Sequence, residues 1–251
     1  MCYTAAEITR TLSPRPVQFY PQAGSTNDLA RAWLEAGAPA GAVVVADEQV
    51  QGRGRLGRTW LAPAGTALIM SVIVHPTHTA LGQITMLGAV AICDMATRVG
   101  VAAGIKWPND VQIDGKKLSG VLPEAVWDGE RLVGVVLGIG VNIRTDFRGT
   151  PLEQTACSLE QAVGKRLDRL VLLSTLLERI ETWAAQPPGA LFAAWRDRLV
   201  TIGRAVSVEQ NGQPLRGTAE GVEPDGALLI RTAGGDVQRV IAGDVALGDG
   251  A

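Results

Sequence analysis

Beyond Gly203 the chain becomes a series of short apolar runs cut by two-residue turn signals. AVSVEQ is followed by Asn211-Gly212, Leu215–Val222 by Asp225-Gly226, and ALLIRT by Gly234-Gly235 before VQRVIA. Asn-Gly and Asp-Gly pairs reach the positive φ that tight hairpins demand. Short strands at this spacing predict a small β-barrel. The pattern therefore divides the chain into two domains, 1–200 and 201–251, with no long linker and no internal repeat. A chain of 251 residues, 47% hydrophobic, can bury roughly 70–75% of its unfolded surface.

The larger part reads as α+β, a mixed sheet flanked by helices. Residues before Tyr20 show no regular pattern, and Pro14, Pro16 and Pro21 interrupt them. Ser25 is placed to cap a helix whose face carries Leu29 and Trp33 and which Gly37 stops. Strands are expected at Ala42–Ala46 and Thr66–Val74, and a helix at Gly82–Val99 with Ile84, Leu87, Ala91 and Met95 on one side. Asp114-Gly115 and Asp128-Gly129 mark hairpins joining Val111–Ile113 to Lys116–Val121 and Ala125–Trp127 to Arg131–Ile143. Ser158–Ala185 reads as helix broken near Gly164, and Ala190–Val200 as one more.

Gly52–Trp60, GRGRLGRTW, sits between apolar segments. Its arginines each adjoin a glycine. Guanidinium forks onto carboxylate or phosphate, glycine permits close backbone approach, and Trp60 offers a stacking face. The set suits a ligand with an anion and a planar ring, such as a nucleotide. Arg/Gly runs are also common in solvated loops and RNA-binding tails, but those tails are repeated arrays. A net charge of −2 and a pI near 5.8 disfavour duplex nucleic acid as the main partner.

Three further segments narrow the chemistry. In KWPNDV, Pro108 turns Trp107 away from helix, and Asn109 and Asp110 present polar groups; the same residues also form plain turns. In KKLSGVLPE, alternation places Lys117, Ser119 and Val121 on one strand face, with Lys117 a point charge that either meets solvent or stabilises charge on an acyl phosphate. In GIGVN, glycines within a strand imply close approach of a ligand or of another backbone, or else a bulge in a packed sheet. Neither a dinucleotide fingerprint nor a Walker lysine is present. Cys2, Cys93 and Cys157 show no pairing logic and fit a reducing compartment. His75 and His78 lack the companions of a zinc site, and no metal site is expected. No apolar run reaches ~18–20 residues, so a soluble, cytoplasmic protein without membrane contact is expected.

Together these segments resemble the biotin–protein ligases, or holocarboxylase synthetases. The match runs through Ser25-Thr26-Asn27, Gln49 with GRGRLGRTW, KWPNDV, KKLSGVL, GIGVN and the small C-terminal domain. The resemblance implies a catalytic domain like that of class II aminoacyl-tRNA synthetases and an SH3-like barrel. It implies that biotin attacks ATP to give biotinyl-5′-AMP, and that a lysine of a biotin carboxyl carrier domain then takes the biotin. Mg²⁺ is expected with ATP.

By the same resemblance Ser25, Thr26, Asn27, Gln49, Gly52 and Arg53 hold biotin. Arg55 covers the adenylate, and Arg58, Trp60, Asn109 and Asn142 face the nucleotide. Lys117 reaches both carboxylate and phosphate, and with Arg55 it carries the catalysis. Family members often have an N-terminal DNA-binding domain, which is not expected here, and neither is DNA binding. Pro123 departs from an ordinary strand and should mark an edge or bulge, which leaves the role of Glu124 open. The competing readings are a lipoate or octanoate ligase or transferase of the same fold, and a biotin-sensing regulator without catalysis. The polar set Ser25, Thr26 and Gln49 opposes the first; Lys117 with the full arginine loop opposes the second.

Overall fold

The computed structural model describes residues 2–75, 81–210 and 213–248. His78 and the Asn211-Gly212 turn lie outside them. The N-terminal segment is ordered structure, contrary to the sequence expectation. Helix α1 (Ala5–Leu12) is followed by strand β1 (Val17–Ala23). The missed signal is a capping box: Thr4 accepts from the Glu7 backbone while the Glu7 carboxylate accepts from Thr4 N.

The chain continues through α2 (Thr26–Glu35), β2 (Val43–Arg53), β3 (Thr59–Ala62), β4 (Ala67–Val74), α3 (Leu81–Arg98), β5 (Gly104–Lys106), β6 (Asp110–Ile113), β7 (Lys116–Asp128) and β8 (Arg131–Asn142). Helices α4 (Leu159–Val163), α5 (Arg169–Ala184) and α6 (Pro188–Arg196) follow. The strands form one eight-stranded sheet in the order β1-β2-β4-β8-β7-β6-β5, with β3 beside β2. Among the described strands of this sheet β1 and β2 pair in parallel, and the other strand pairs are antiparallel.

Alternation along the central strands sends two apolar sets to opposite faces. Leu68, Met70 and Val72 join Val121, Leu137, Ile139 and the buried side of α3 in the main core. Val44, Ile73 and Val136 pack instead against Ala30 and Leu34 of α2. Those two, rather than Leu29 and Trp33, are the deepest residues of that helix, and Leu29 and Trp33 lie half-buried beside them. On the α2 side, the sheet beyond the helix is left open, and the cleft described below forms there.

Two strand expectations need correction. Residues expected as separate strands around Pro123 form one strand, β7. This is possible because β6 pairs only as far as Gly120, so the Pro123 side facing away from β8 is an edge where a missing N–H costs nothing. Lys117 also does not share a face with Ser119 and Val121. The register against β6 passes from Ser119↔Val111 to Lys117↔Gln112, so Leu118 is an extra, bulged residue. The bulge reverses the alternation. Val121 points to α3, while Lys117 lies on the open side with Gly120, where a Cβ would sit 3.5 Å from Lys117 Nζ.

The C-terminal part holds β9 (Ala205–Gln210), β10 (Gln213–Val222), β11 (Leu228–Arg231), β12 (Val237–Val240) and β13 (Val245–Leu247). They form a separate antiparallel sheet in the order β12-β11-β10-β9-β13. Trp107, almost fully buried, ties it to the larger domain. Its Nε1 donates to Gly226 O at 2.8 Å and its backbone N to Thr201 Oγ1 at 2.9 Å. The tryptophan of KWPNDV is thus a joint between domains.

Candidate active site

A cleft of about 440 Å³ opens over β7 and β8 on the α2 side of the sheet. Its wall is the end of β2, the short 3-10 turn Arg55–Gly57 and β3. The arginine run is therefore half strand and half turn: Arg53 ends β2, and Leu56 takes a positive φ of 55° at the exposed tip.

Ser25, Thr26, Asn27, Gln49, Arg53, Arg55, Arg58, Trp60, Asn109, Lys117 and Asn142 all line this cleft. Gly52 does not line it. Its role is steric, since a Cβ there would meet Trp60 O at 2.4 Å and Gln49 Nε2 at 2.5 Å. The glycines of GIGVN admit side chains of this chain. A Cβ at Gly138 would lie 2.2 Å from Asn27 Oδ1, and one at Gly140 would lie 2.5 Å from the Trp60 ring.

Ser25 occupies the N-cap position of α2, yet its hydroxyl makes no capping bond. The carboxamide of Gln49 does that work instead: Gln49 Oε1 accepts from Thr26 N at 2.9 Å. Ser25 therefore remains at the cleft with its hydroxyl uncommitted to the helix. Asn109 is held by a 2.8 Å bond to Val121 O, and Asn142 Nδ2 donates to Lys117 O at 3.4 Å. Trp60 Nε1 is buried and, among the described residues, has no hydrogen-bond partner.

The electrostatics are not those of a bare cationic pocket. Each cation of the set faces a carboxylate. Arg53 forks onto Asp28 at 2.5 and 2.7 Å and lies 3.7 Å from Glu124. Arg58 pairs with Asp244 at 2.5 Å, and Arg55 reaches the same carboxylate at 3.4 Å, Gly243 O at 3.1 Å and Asn109 Oδ1 at 3.3 Å. Lys117 Nζ lies 2.7 Å from Asp110 and 5.8 Å from the centre of the Trp60 ring. The hydrogen bonds from Arg53 hold the Asp28 carboxyl below its usual range. The clasp therefore persists on mild acidification and is lost only as pH falls through that lowered value.

Sequence reasoning did not find Asp28 or Asp244 as partners of the arginines, because a lone acid in a helix or in VIAGDVAL carries no motif. It also did not find the loop residues Phe147, Leu152 and Ala156 on the cleft rim. Glu124, left open by the sequence, stands between Arg31 at 3.6 Å and Arg53. Among the described residues no group of three His, Cys, Asp or Glu side chains could hold a metal ion, and no helix is long and apolar enough to cross a membrane.

Residues 19–142 match the model of the Biotin/lipoate A/B protein ligase family, and residues 201–248 match the Biotin protein ligase C terminal domain. The Bacillus subtilis bifunctional ligase/repressor BirA is 32% identical over 233 residues, covering 89% of this chain and 71% of its own. The biotin–[acetyl-CoA-carboxylase] ligase of Mycobacterium tuberculosis is 35% identical, with 92% and 88% covered. In structure, the Aquifex aeolicus biotin protein ligase in complex with biotin and ATP superposes with a TM-score of 0.79 at 26% identity, over 93% of this chain and 98% of that one. The first family model spans biotin and lipoate ligases alike; the C-terminal domain and the full-length relatives separate them. On both counts, this chain belongs to the biotin protein ligase family.

Proposed function

We propose that this chain is an ATP-dependent, AMP-forming biotin–protein ligase, and that the cleft over β7 and β8 is where both steps occur. The observation that carries this reading is one cleft whose lining brings the cations Arg53, Arg55, Arg58 and Lys117 together with the neutral donors and acceptors Ser25, Thr26, Asn27 and Gln49. Neutral hydroxyls and amides suit a ureido ring, which donates and accepts hydrogen bonds without charge. Cations suit a carboxylate and a triphosphate.

In the first step a biotin carboxylate oxygen bonds to the α-phosphorus of ATP, and the bond from that phosphorus to the bridging oxygen breaks, releasing pyrophosphate. Arg53, Arg58 and Lys117 exchange their own carboxylates for the anions of the substrates. Lys117 stabilises the charge that gathers at phosphorus, and Asn109, Asn142 and the unpaired indole N–H of Trp60 face the nucleoside. In the second step the ε-amine of an acceptor lysine attacks the acyl carbon, the carbon–oxygen bond breaks, and AMP leaves. The name of the M. tuberculosis relative, an acetyl-CoA-carboxylase ligase, supports a biotin carboxyl carrier domain as acceptor. Mg²⁺ is proposed to arrive with ATP: Asp110 and Asp244, which line the cleft, are each engaged by a cation. Three free thiols suit a reducing cytoplasm.

ATP–pyrophosphate exchange with biotin, lipoate and octanoate in parallel tests the reading. Exchange with biotin alone is expected; exchange with lipoate or octanoate would transfer the chain to the other branch of the family.

Arg55 has a distinct expected role. It holds the arginine turn to Asn109 and to the Gly243-Asp244 loop of the C-terminal domain, so it closes the cleft from above. A mixed anhydride is reactive, and a closed cleft keeps it from water and stray amines. Arg55→Gly is therefore expected to form adenylate measurably but release it faster, labelling serum albumin with biotin when biotin and ATP are supplied. Albumin labelling no faster than wild type, with adenylate still made, would reduce Arg55 to an ordinary binding group.

A further inference from the structure

Beneath the proposed biotin end of the cleft, four polar side chains form one continuous network. Ser71 lies at its centre, fully buried on β4. It shares a strand face with Ile69, which lines the cleft, and Ile73, which packs under α2. Ser71 Oγ lies 2.8 Å from Thr26 Oγ1 and 2.7 Å from Asn27 Oδ1. Asn27 Nδ2 donates to Leu122 O at 3.3 Å.

Proton counting gives this network a direction. A hydroxyl has one proton, and an amide oxygen can only accept. Ser71 therefore donates to Asn27 Oδ1, and the Thr26 hydroxyl donates to Ser71 Oγ. Gln49 Oε1 is satisfied by the Thr26 backbone N–H at 2.9 Å, so it does not need the longer 3.3 Å contact with the Thr26 hydroxyl. Two consequences follow at the cleft. Thr26 Oγ1 keeps its lone pairs for a ligand N–H. Asn27 is locked with its oxygen inward, leaving its second amide hydrogen for a ligand oxygen. Gly138 gives the amide this position, because any side chain there would overlap Asn27 Oδ1.

We propose that Ser71, which does not itself line the cleft, is a positioning residue for biotin recognition: it sets Thr26 as an acceptor and Asn27 as a donor, the pair that reads a ureido N–H and carbonyl. This rests on the biotin reading above. Without the Ser71 hydroxyl, Asn27 Oδ1 is a buried acceptor with no donor, and the amide is free to turn. Among the described residues, the ATP-facing side chains Arg58, Trp60 and Asn109 have no hydrogen bond or ion pair to this network.

The test is steady-state pyrophosphate exchange with the full-length chain. Ser71→Ala is expected to raise KM for biotin about tenfold or more, while kcat and KM for ATP stay within about threefold. Ser71→Cys, similar in size with a weaker donor, should give a smaller rise of about threefold or more; it carries the test if the alanine variant does not fold. An unchanged biotin KM in a folded variant overturns the proposal, and so does a parallel rise in the KM for ATP, which would mark a merely structural role. Absence of biotin-dependent exchange in the wild type overturns the ligase reading itself, an outcome distinguishable because it appears before any variant is made.

Discussion

Lys117→Ala is expected to slow adenylate formation by about 10²–10³-fold, the loss of roughly 3–4 kcal/mol that follows removal of one preorganised donor at a site of developing charge. Its fold should survive. The Leu118 bulge turns Lys117 to the open side of the sheet, so its side chain carries no core packing, and its backbone pairing with Gln112 is independent of the ammonium. Asp110, its partner at 2.7 Å, is partly solvated; such pairs contribute about 0–1 kcal/mol. Lys117→Arg should rescue poorly. The ammonium sits between Asp110, the bare backbone of Gly120 and the Trp60 ring, a space for a point charge and not for a planar fork. Single-turnover formation of biotinyl-AMP measures the effect. A rate for Lys117→Ala within about tenfold of wild type would remove Lys117 from the chemical step.

The residues around Lys117 also show what was legible in the sequence. Its membership in a charged cluster could be read from KKLSGVL. Its orientation could not, because a bulge is a property of two paired strands and nothing within one of them announces it. The same holds for Pro123. Its compatibility with a long strand depends on how far β6 extends beside it, which is a tertiary fact. Hairpins at Asp114-Gly115 and Asp128-Gly129 were legible because positive φ is demanded locally, and both glycines adopt it. The glycines of GIGVN announced close approach; only the fold identifies Asn27 and Trp60 as what approaches. The acids that neutralise the arginines, Asp28 on α2 and Asp244 after β12, were invisible for a related reason. They are separated from their partners by 25 and up to 189 residues of chain, and no periodicity connects them. The α1 helix was legible in principle, since Thr4 and Glu7 hold the capping-box spacing, but prolines downstream drew the reading toward irregular chain.

The largest effect on stability is expected at Asp47. It stands on β2 two residues before Gln49, and its carboxylate pairs with Arg169, the first residue of α5, at 2.8 Å. Both side chains are only 3% exposed. Arg169 also donates to Ala67 O at 2.7 and 3.2 Å, and its guanidinium lies 4.0 Å from the centre of the Tyr3 ring. Asp47→Ala removes the buried carboxylate that faces that guanidinium. Removing one member of a buried ion pair costs about 3–5 kcal/mol, a large part of the stability of an ordinary domain, and a chain of this size should melt roughly 6–20 °C lower. The charge, more than the lost contact, is the reason, and that distinction can be tested. Asp47→Leu combined with Arg169→Met removes both charges and should recover much of the loss, because an apolar pair of similar volume needs no desolvation of ions. Denaturant unfolding of the two single variants and the double variant supplies the coupling. Gln49 is held independently by Thr26 N, so the folded fraction of Asp47→Ala should still exchange pyrophosphate in the presence of biotin. Additive effects of the two substitutions, with the double variant as unstable as the sum, would mean that the pair acts through shape and not through charge.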